Sequence, residues 1–125
     1  MIVLDATVLI AHLDSGDAHH DASETRLLEL AHEPFGASSI TLAEVLVGPA
    51  RSGRLSDAQA ALHALGVAEL TLPVDAAERL AALRATTELK LPDCCVMLAA
   101  EDAPAGVLTF DARLAREAAR RGLAA

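Results

Sequence analysis

Short apolar runs alternate along the whole chain with longer stretches whose apolar residues recur at helical spacing, the pattern of strands handing over to helices. Ile2 to Leu4 predicts a first, doubly buried strand ending at Asp5, and Thr7 to Leu13 predicts a helix. Asp17 is expected to cap a second helix reaching about Ala31. Phe35 to Ser38 reads as the next strand. Thr41-Leu-Ala-Glu44 then matches the capping-box pattern and opens a helix that Gly48-Pro49 should stop. Ser56-x-x-Gln59 repeats the device for a helix with Leu55, Ala58, Leu62 and Leu65 on one face. A third strand is expected over Val67 to Leu72, and Asp75-x-x-Glu78 starts another helix. Pro92-Asp93 opens the most apolar helix, Gly106 to Phe110 forms the last strand, and Asp111 begins a C-terminal helix.

Strands this short and apolar need cover on both faces, and parallel strands need crossovers, which place helices there. The expected fold class is therefore α/β, a three-layer α/β/α sandwich on a central parallel sheet. No linker, repeat or low-complexity stretch interrupts the 125 residues, so residues 1–125 are expected to form a single domain.

Composition narrows the chemistry. Hydrophobic residues make up 53% of the chain and aromatics 2%, so the core must be aliphatic and rings for stacking nucleobases are scarce. The net charge of −8 opposes non-specific attraction to a polyanion, and a nucleic-acid substrate would need local cations. The chain opens Met1-Ile-Val-Leu without a basic leader. Its longest apolar run, around Cys94 to Ala100, falls far short of the roughly 18 residues of a membrane span, so a cytoplasmic protein without membrane contact is expected. Cys94 and Cys95 are adjacent, which suits buried thiols better than a zinc half-site or a disulfide.

Asp5, Glu44, Asp93 and Asp111 each stand where a strand-like run gives way to a helix-like one. In a parallel sheet such hand-overs share one edge, the edge where ligands bind, so these acids are expected to converge. Crowded carboxylates repel, and a divalent cation held by oxygen ligands relieves them. Taken singly, each acid also suits a helix cap or a first helical turn. Their company is more specific: Leu-Asp-Ala-Thr, Thr-Leu-Ala-Glu, Leu-Pro-Asp-Cys-Cys and Leu-Thr-Phe-Asp-Ala-Arg-Leu-Ala, in that order.

At those residues the chain resembles, over essentially its whole length, the PIN-domain toxins of the VapC kind from type II toxin–antitoxin systems. The resemblance implies a PIN-like α/β/α fold, a Mg²⁺- or Mn²⁺-dependent endoribonuclease, and a homodimer held inactive by a cognate VapB-like antitoxin. It implies that Asp5, Glu44, Asp93 and Asp111 form the catalytic set. Asp5 and Asp93 would be the direct metal ligands, with Glu44 and Asp111 acting through water and Thr7 and Thr109 supporting the carboxylates by hydrogen bonds. Ala112, Arg113 and Leu114 follow the fourth acid where some members carry another, which speaks against a full second metal site. An antitoxin segment would cover an apolar groove beside Glu44 lined by Leu42, Val45 and Leu46.

Arg113, Arg116 and Arg120 share a face of the last helix with Arg121 beside them, either a solvated face or a stripe that steers RNA phosphates. Lys90, the sole lysine, precedes Pro92 by two residues. None of the five histidines, His12, His19, His20, His32 and His63, is assigned to the site. A receiver-type phosphoacceptor would carry paired acids near the first strand and a late lysine. A haloacid-dehalogenase phosphatase would carry Asp where Thr7 stands. The remaining rival is a non-catalytic acidic module that binds a partner and uses its acids as caps.

Overall fold

The computed structural model describes residues 1–125. Four strands, β1 (Ile2–Leu4), β2 (Phe35–Ser38), β3 (Val67–Leu70) and β4 (Gly106–Leu108), form one sheet in the order β3-β2-β1-β4. Every pairing is parallel, with Val3 opposite Gly36 on one side and Val107 on the other. Seven helices complete the chain: α1 (Ala6–Leu13), α2 (His20–Glu29), α3 (Ser39–Arg51), α4 (Leu55–Leu65), α5 (Ala76–Thr86), α6 (Leu91–Asp102) and α7 (Ala112–Arg120). None is long and apolar enough to cross a membrane.

Side-chain alternation along the strands splits the core in two. Ile2, Leu4 and Leu108 point into a cluster with Val8, Leu9, Leu27, Val45 and Leu62, so α1 to α4 cover that face. Val3 and Val107 point the other way, onto Leu80, Leu83, Met97, Leu98 and Leu114 of α5, α6 and α7. The expected three-layer α/β/α arrangement is thus the one observed. Both cysteines are free and buried within α6, as their adjacency suggested. Gly36 has a packing reason: a Cβ there would lie 2.8 Å from Leu70 Cδ1. The C-terminal tail runs beside β4, where Val107 donates to the Leu123 carbonyl at 2.6 Å and accepts from Ala125 at 3.1 Å.

Several element starts differ from expectation, each for a local reason. Ser38, not Thr41, caps α3: its Oγ accepts from the Ile40 N–H at 3.3 Å. Thr41 is instead fully buried, its hydroxyl without a partner, and Glu44 falls in the second helical turn. Pro49 does not stop α3, which runs on to Arg51. Proline near a C-terminus forfeits a single helical bond, and the Ser52 hydroxyl bonds the Gly48 and Pro49 carbonyls there. Ser56 lies inside α4, whose N-cap is Arg54, and Asp75 holds the N-cap position of α5 without a side-chain bond. Asp17 accepts from the His19 N–H at 2.8 Å, an Asx turn that delays α2 until His20, and that helix ends at Glu29. β3 stops at Leu70, ahead of Pro73, and β4 at Leu108.

Candidate active site

β4 stops early because the next residues bond to side chains across the sheet edge. The Thr109 hydroxyl donates to Asp5 Oδ2 at 2.6 Å and the Thr7 hydroxyl donates to the same oxygen at 2.8 Å. Each hydroxyl also accepts a backbone amide, Thr7 from Phe110 at 3.0 Å and Thr109 from Asp111 at 2.9 Å. With each single proton committed to Asp5, the 3.5 Å approach of the two hydroxyls to one another is a contact only. This network ties the start of α1 to the start of α7 and fixes one carboxylate rotamer.

Asp5 is 4% exposed, occupies the N-cap position of α1 and makes no capping bond. No arginine or lysine pairs with it, and Oδ1 accepts no hydrogen bond from the protein. Asp111 behaves differently: its Oδ1 accepts from the Leu114 N–H at 2.9 Å and caps α7. Asp93 is the third residue of α6, half-buried, its helix started by Pro92 and flanked by the exposed Lys90.

The four acids feel one another. Desolvation lifts the Asp93 carboxyl above the ordinary aspartate range, the Asp5 and Asp111 charges lift it further, and the Lys90 ammonium and backbone amide pull the other way. Glu44 is raised by desolvation of its carboxyl, then by the Asp5 and Asp93 charges. Asp5 thus bears on two other acids, and the sheet edge is an under-neutralised acidic centre.

No three His, Cys, Asp or Glu side chains close round a common point. A hard cation here would take one or two carboxylates and complete its shell with water, the mode Mg²⁺ favours. The free Oδ1 of Asp5 and the carboxyl of Asp93, which enters no salt bridge, are oxygen donors suited to it.

Beside the acids, a groove of ≈ 570 Å³ runs between α1, α3 and α4; Ile10, Leu13, Val45, Ala58 and Ala61 give it an apolar floor, and Glu44, Asp14, Arg54 and Asp57 give it charged walls. Leu42 and Leu46 do not line it; four residues apart, they share the side of α3 that packs against the core cluster. Ile10, Leu13 and Ala61 had carried no sequence signal beyond their helical spacing.

Arg113, Arg116 and Arg120 border a crevice of ≈ 190 Å³ with Glu117 and with Thr87, Glu88 and Leu89. Arg113 and Arg116 enter no ion pair, whereas Arg120 and Arg121 are both bound to Glu117. Arg120 is therefore a partner of Glu117, and the free cations of α7 lie at its N-terminal half.

Comparison with known proteins agrees with this architecture. The PIN domain family matches residues 2–120. No curated protein matches the chain at a significant level. Among solved structures, a toxin–antitoxin complex from Klebsiella pneumoniae superposes with a TM-score of 0.71 at 27% identity, over 89% of this chain and 87% of that one. VapC20 from Mycobacterium tuberculosis, a toxin that cleaves the sarcin–ricin loop, superposes at 0.74 and 20% identity, over 94% and 95%. VapBC2 from Rickettsia felis, bound to a DNA fragment from its promoter, superposes at 0.70 and 19% identity, over 96% and 92%. The parallel sheet, the acids at its edge and the match along nearly the whole sequence agree: the chain belongs to the PIN-domain family, and its fold is that of the VapC-type toxins.

Proposed function

We propose that the protein is a metal-dependent endoribonuclease, the toxin of a VapBC-like pair, hydrolysing RNA phosphodiester bonds at the edge formed by Asp5, Glu44, Asp93 and Asp111. The observation that carries this reading is Asp5: a buried carboxylate at a helix start that caps nothing, pairs with no base and is held by two threonine hydroxyls. Both hydroxyls converge on Oδ2, which leaves Oδ1 without a protein donor and open to a cation. The rival reading, a partner-binding module with acids as caps, accounts for Asp111 but not for Asp5.

Asp5 and Asp93 would hold Mg²⁺ or Mn²⁺. When bound, the ion supplies a lowered pKa for a coordinated water and charge neutralisation on the scissile phosphate. Glu44, which has no ion-pair or hydrogen-bond partner of its own and feels the Asp5 and Asp93 charges, would take the proton of the attacking water. Asp111 keeps that water oriented while its second role, capping α7, holds the helix start in register with Thr109. Thr7 and Thr109 keep the Asp5 oxygens aimed. Arg113 and Arg116, free of carboxylate partners, attract the flanking phosphates of an RNA that the net charge of −8 would otherwise repel.

The partner proposed is a VapB-like antitoxin whose C-terminal segment lays an apolar face in the α1–α3–α4 groove and brings a basic side chain toward Asp5 or Asp93. A mean hydropathy of +0.35 leaves apolar surface to cover, consistent with a homodimer as well. Inducing the protein without an antitoxin and mapping RNA 5′ ends across the transcriptome tests the activity. A defined set of cuts, absent with Asp93→Asn, is expected; identical end maps with and without induction would reject it.

A further inference from the structure

We propose that the outward face of the His19 ring is a stacking platform for a nucleobase flanking the scissile phosphate, a substrate-positioning role resting on the ribonuclease reading above. The His19 imidazole lies on the Phe110 ring with centroids 4.8 Å apart and planes 7° from parallel. Phe110 sits between Thr109 and Asp111 in the chain, and its N–H donates to the Thr7 hydroxyl that holds Asp5. The lower ring of the stack is thus anchored in the network that shapes the acidic edge.

Phe110 is half-buried and packs against the core under α1 and α2, whereas His19 is exposed. His19 is also positioned in advance. Its N–H donates to Asp17 Oδ1 at 2.8 Å, and its carbonyl accepts from the Ser23 N–H at 2.8 Å. A ring braced on one face and at its backbone has lost most of its freedom before any ligand arrives, so stacking on its open face carries little further entropy cost. The chain has two phenylalanines and no tyrosine or tryptophan, and it uses one of the two, the residue between Thr109 and Asp111, to build this stack. A nucleobase is the planar partner that an RNA would present there, and stacking accepts any base, so the site would hold the strand without choosing its sequence.

A ring that merely pins the α1–α2 loop to the β4–α7 loop would share this geometry, and the test separates the two roles. In the Asp93→Asn background, with Mg²⁺, fluorescence anisotropy compares His19, His19→Phe and His19→Leu for two probes: a labelled short single-stranded RNA of mixed sequence and an abasic ribose-phosphate oligomer of equal length. Stacking predicts that His19→Leu binds the RNA about five- to a hundred-fold more weakly. It also predicts that His19→Phe binds as His19 does and that all three bind the abasic oligomer alike. Equal RNA binding by the Leu variant overturns the proposal, as does a loss that extends equally to the abasic probe. If no variant binds RNA at all, while the protein also cuts none, the ribonuclease reading falls and this inference falls with it.

Discussion

Asp5 and Asp111 occupy equivalent places, each at the N-cap position of the helix that follows a strand, yet their carboxylates do different things. At the start of α7 the Asp111 oxygen accepts the Leu114 amide, the ordinary work of an N-cap. At the start of α1 the helix goes without a side-chain cap, and Asp5 is turned into the edge and held by Thr7 and Thr109. Forgoing a cap costs the helix about 1 kcal/mol, and burying a carboxylate without a basic partner costs more. A fold that tolerates both at one residue keeps that residue for something other than stability. Asp111 shows what the same residue does when stability is part of its work.

The comparison breaks most visibly at Asp5 itself. Asp5→Asn is expected to leave the fold intact, because an amide oxygen still accepts both threonine hydroxyls. Cleavage should fall by more than the roughly 10- to 100-fold that a supporting residue costs. A variant within a few-fold of wild type, assayed on RNA with Mg²⁺, would show that the Asp5 charge is dispensable. Thr109→Val should give the intermediate effect. It removes the donor to Asp5 and the acceptor of the Asp111 amide together, for about a 10- to 100-fold loss of metal affinity or rate, read as a shift in the Mg²⁺ concentration giving half-maximal activity.

Asp111 sharpens the contrast. Asp111→Ala is expected to lower stability by about 1 kcal/mol through the lost cap, a shift of a few degrees in Tm, while Asp111→Asn keeps the cap and recovers most of that loss. Asp5 has no cap to lose, so Asp5→Asn, which keeps an acceptor for both threonine hydroxyls, should leave Tm unchanged or raise it.

The smallest effect concerns pH and separates the two kinds of acid. Hydrogen bonds from Arg120 and then Arg121 pull Glu117 down to about 2, so its stabilising contribution is present above the unfolded glutamate value and is lost as pH falls toward 2. Asp93 and Glu44 are raised and act oppositely: stability is lost as pH climbs from their unfolded values through their elevated folded ones. Glu117→Gln should therefore weaken the protein near neutrality and flatten its acid-side loss. Asp93→Asn should remove part of the loss on the ascending side, both read from Tm against pH in metal-free buffer.

Much of this arrangement was legible in the sequence. Asp5 and Asp111 could be placed because apolar runs as short as Ile2–Leu4 and Gly106–Leu108 give way to helices, and a parallel sheet brings such ends to one edge; Asp93 was expected after a strand too, but it follows helix α5 and reaches the other acids from the start of α6. Glu44 was found by its motif but put one turn too early, since Ser38 reaches the free amides of α3 before Thr41 can and Thr41 turns into the core. The groove was only partly found, because its walls include Ile10 and Leu13 from α1, which only the folded sheet brings beside α3. For Arg120 the sequence left a solvated face and a cationic stripe both open, and Glu117, three residues before it, is the partner that this spacing leads one to expect. The stack of His19 on Phe110 had no local signal, because it joins two loops that only the folded sheet brings together.

The account stands on the claim that the edge around Asp5 binds a divalent cation and cuts RNA with it. Its most direct test is cleavage of RNA by purified, EDTA-treated protein, measured before and after millimolar Mg²⁺ or Mn²⁺ is restored, with Asp93→Asn alongside. The account predicts no cleavage without metal, cleavage on its return, and none by the variant under either condition. Cleavage that persists in EDTA, or that Asp93→Asn retains in full, would contradict it.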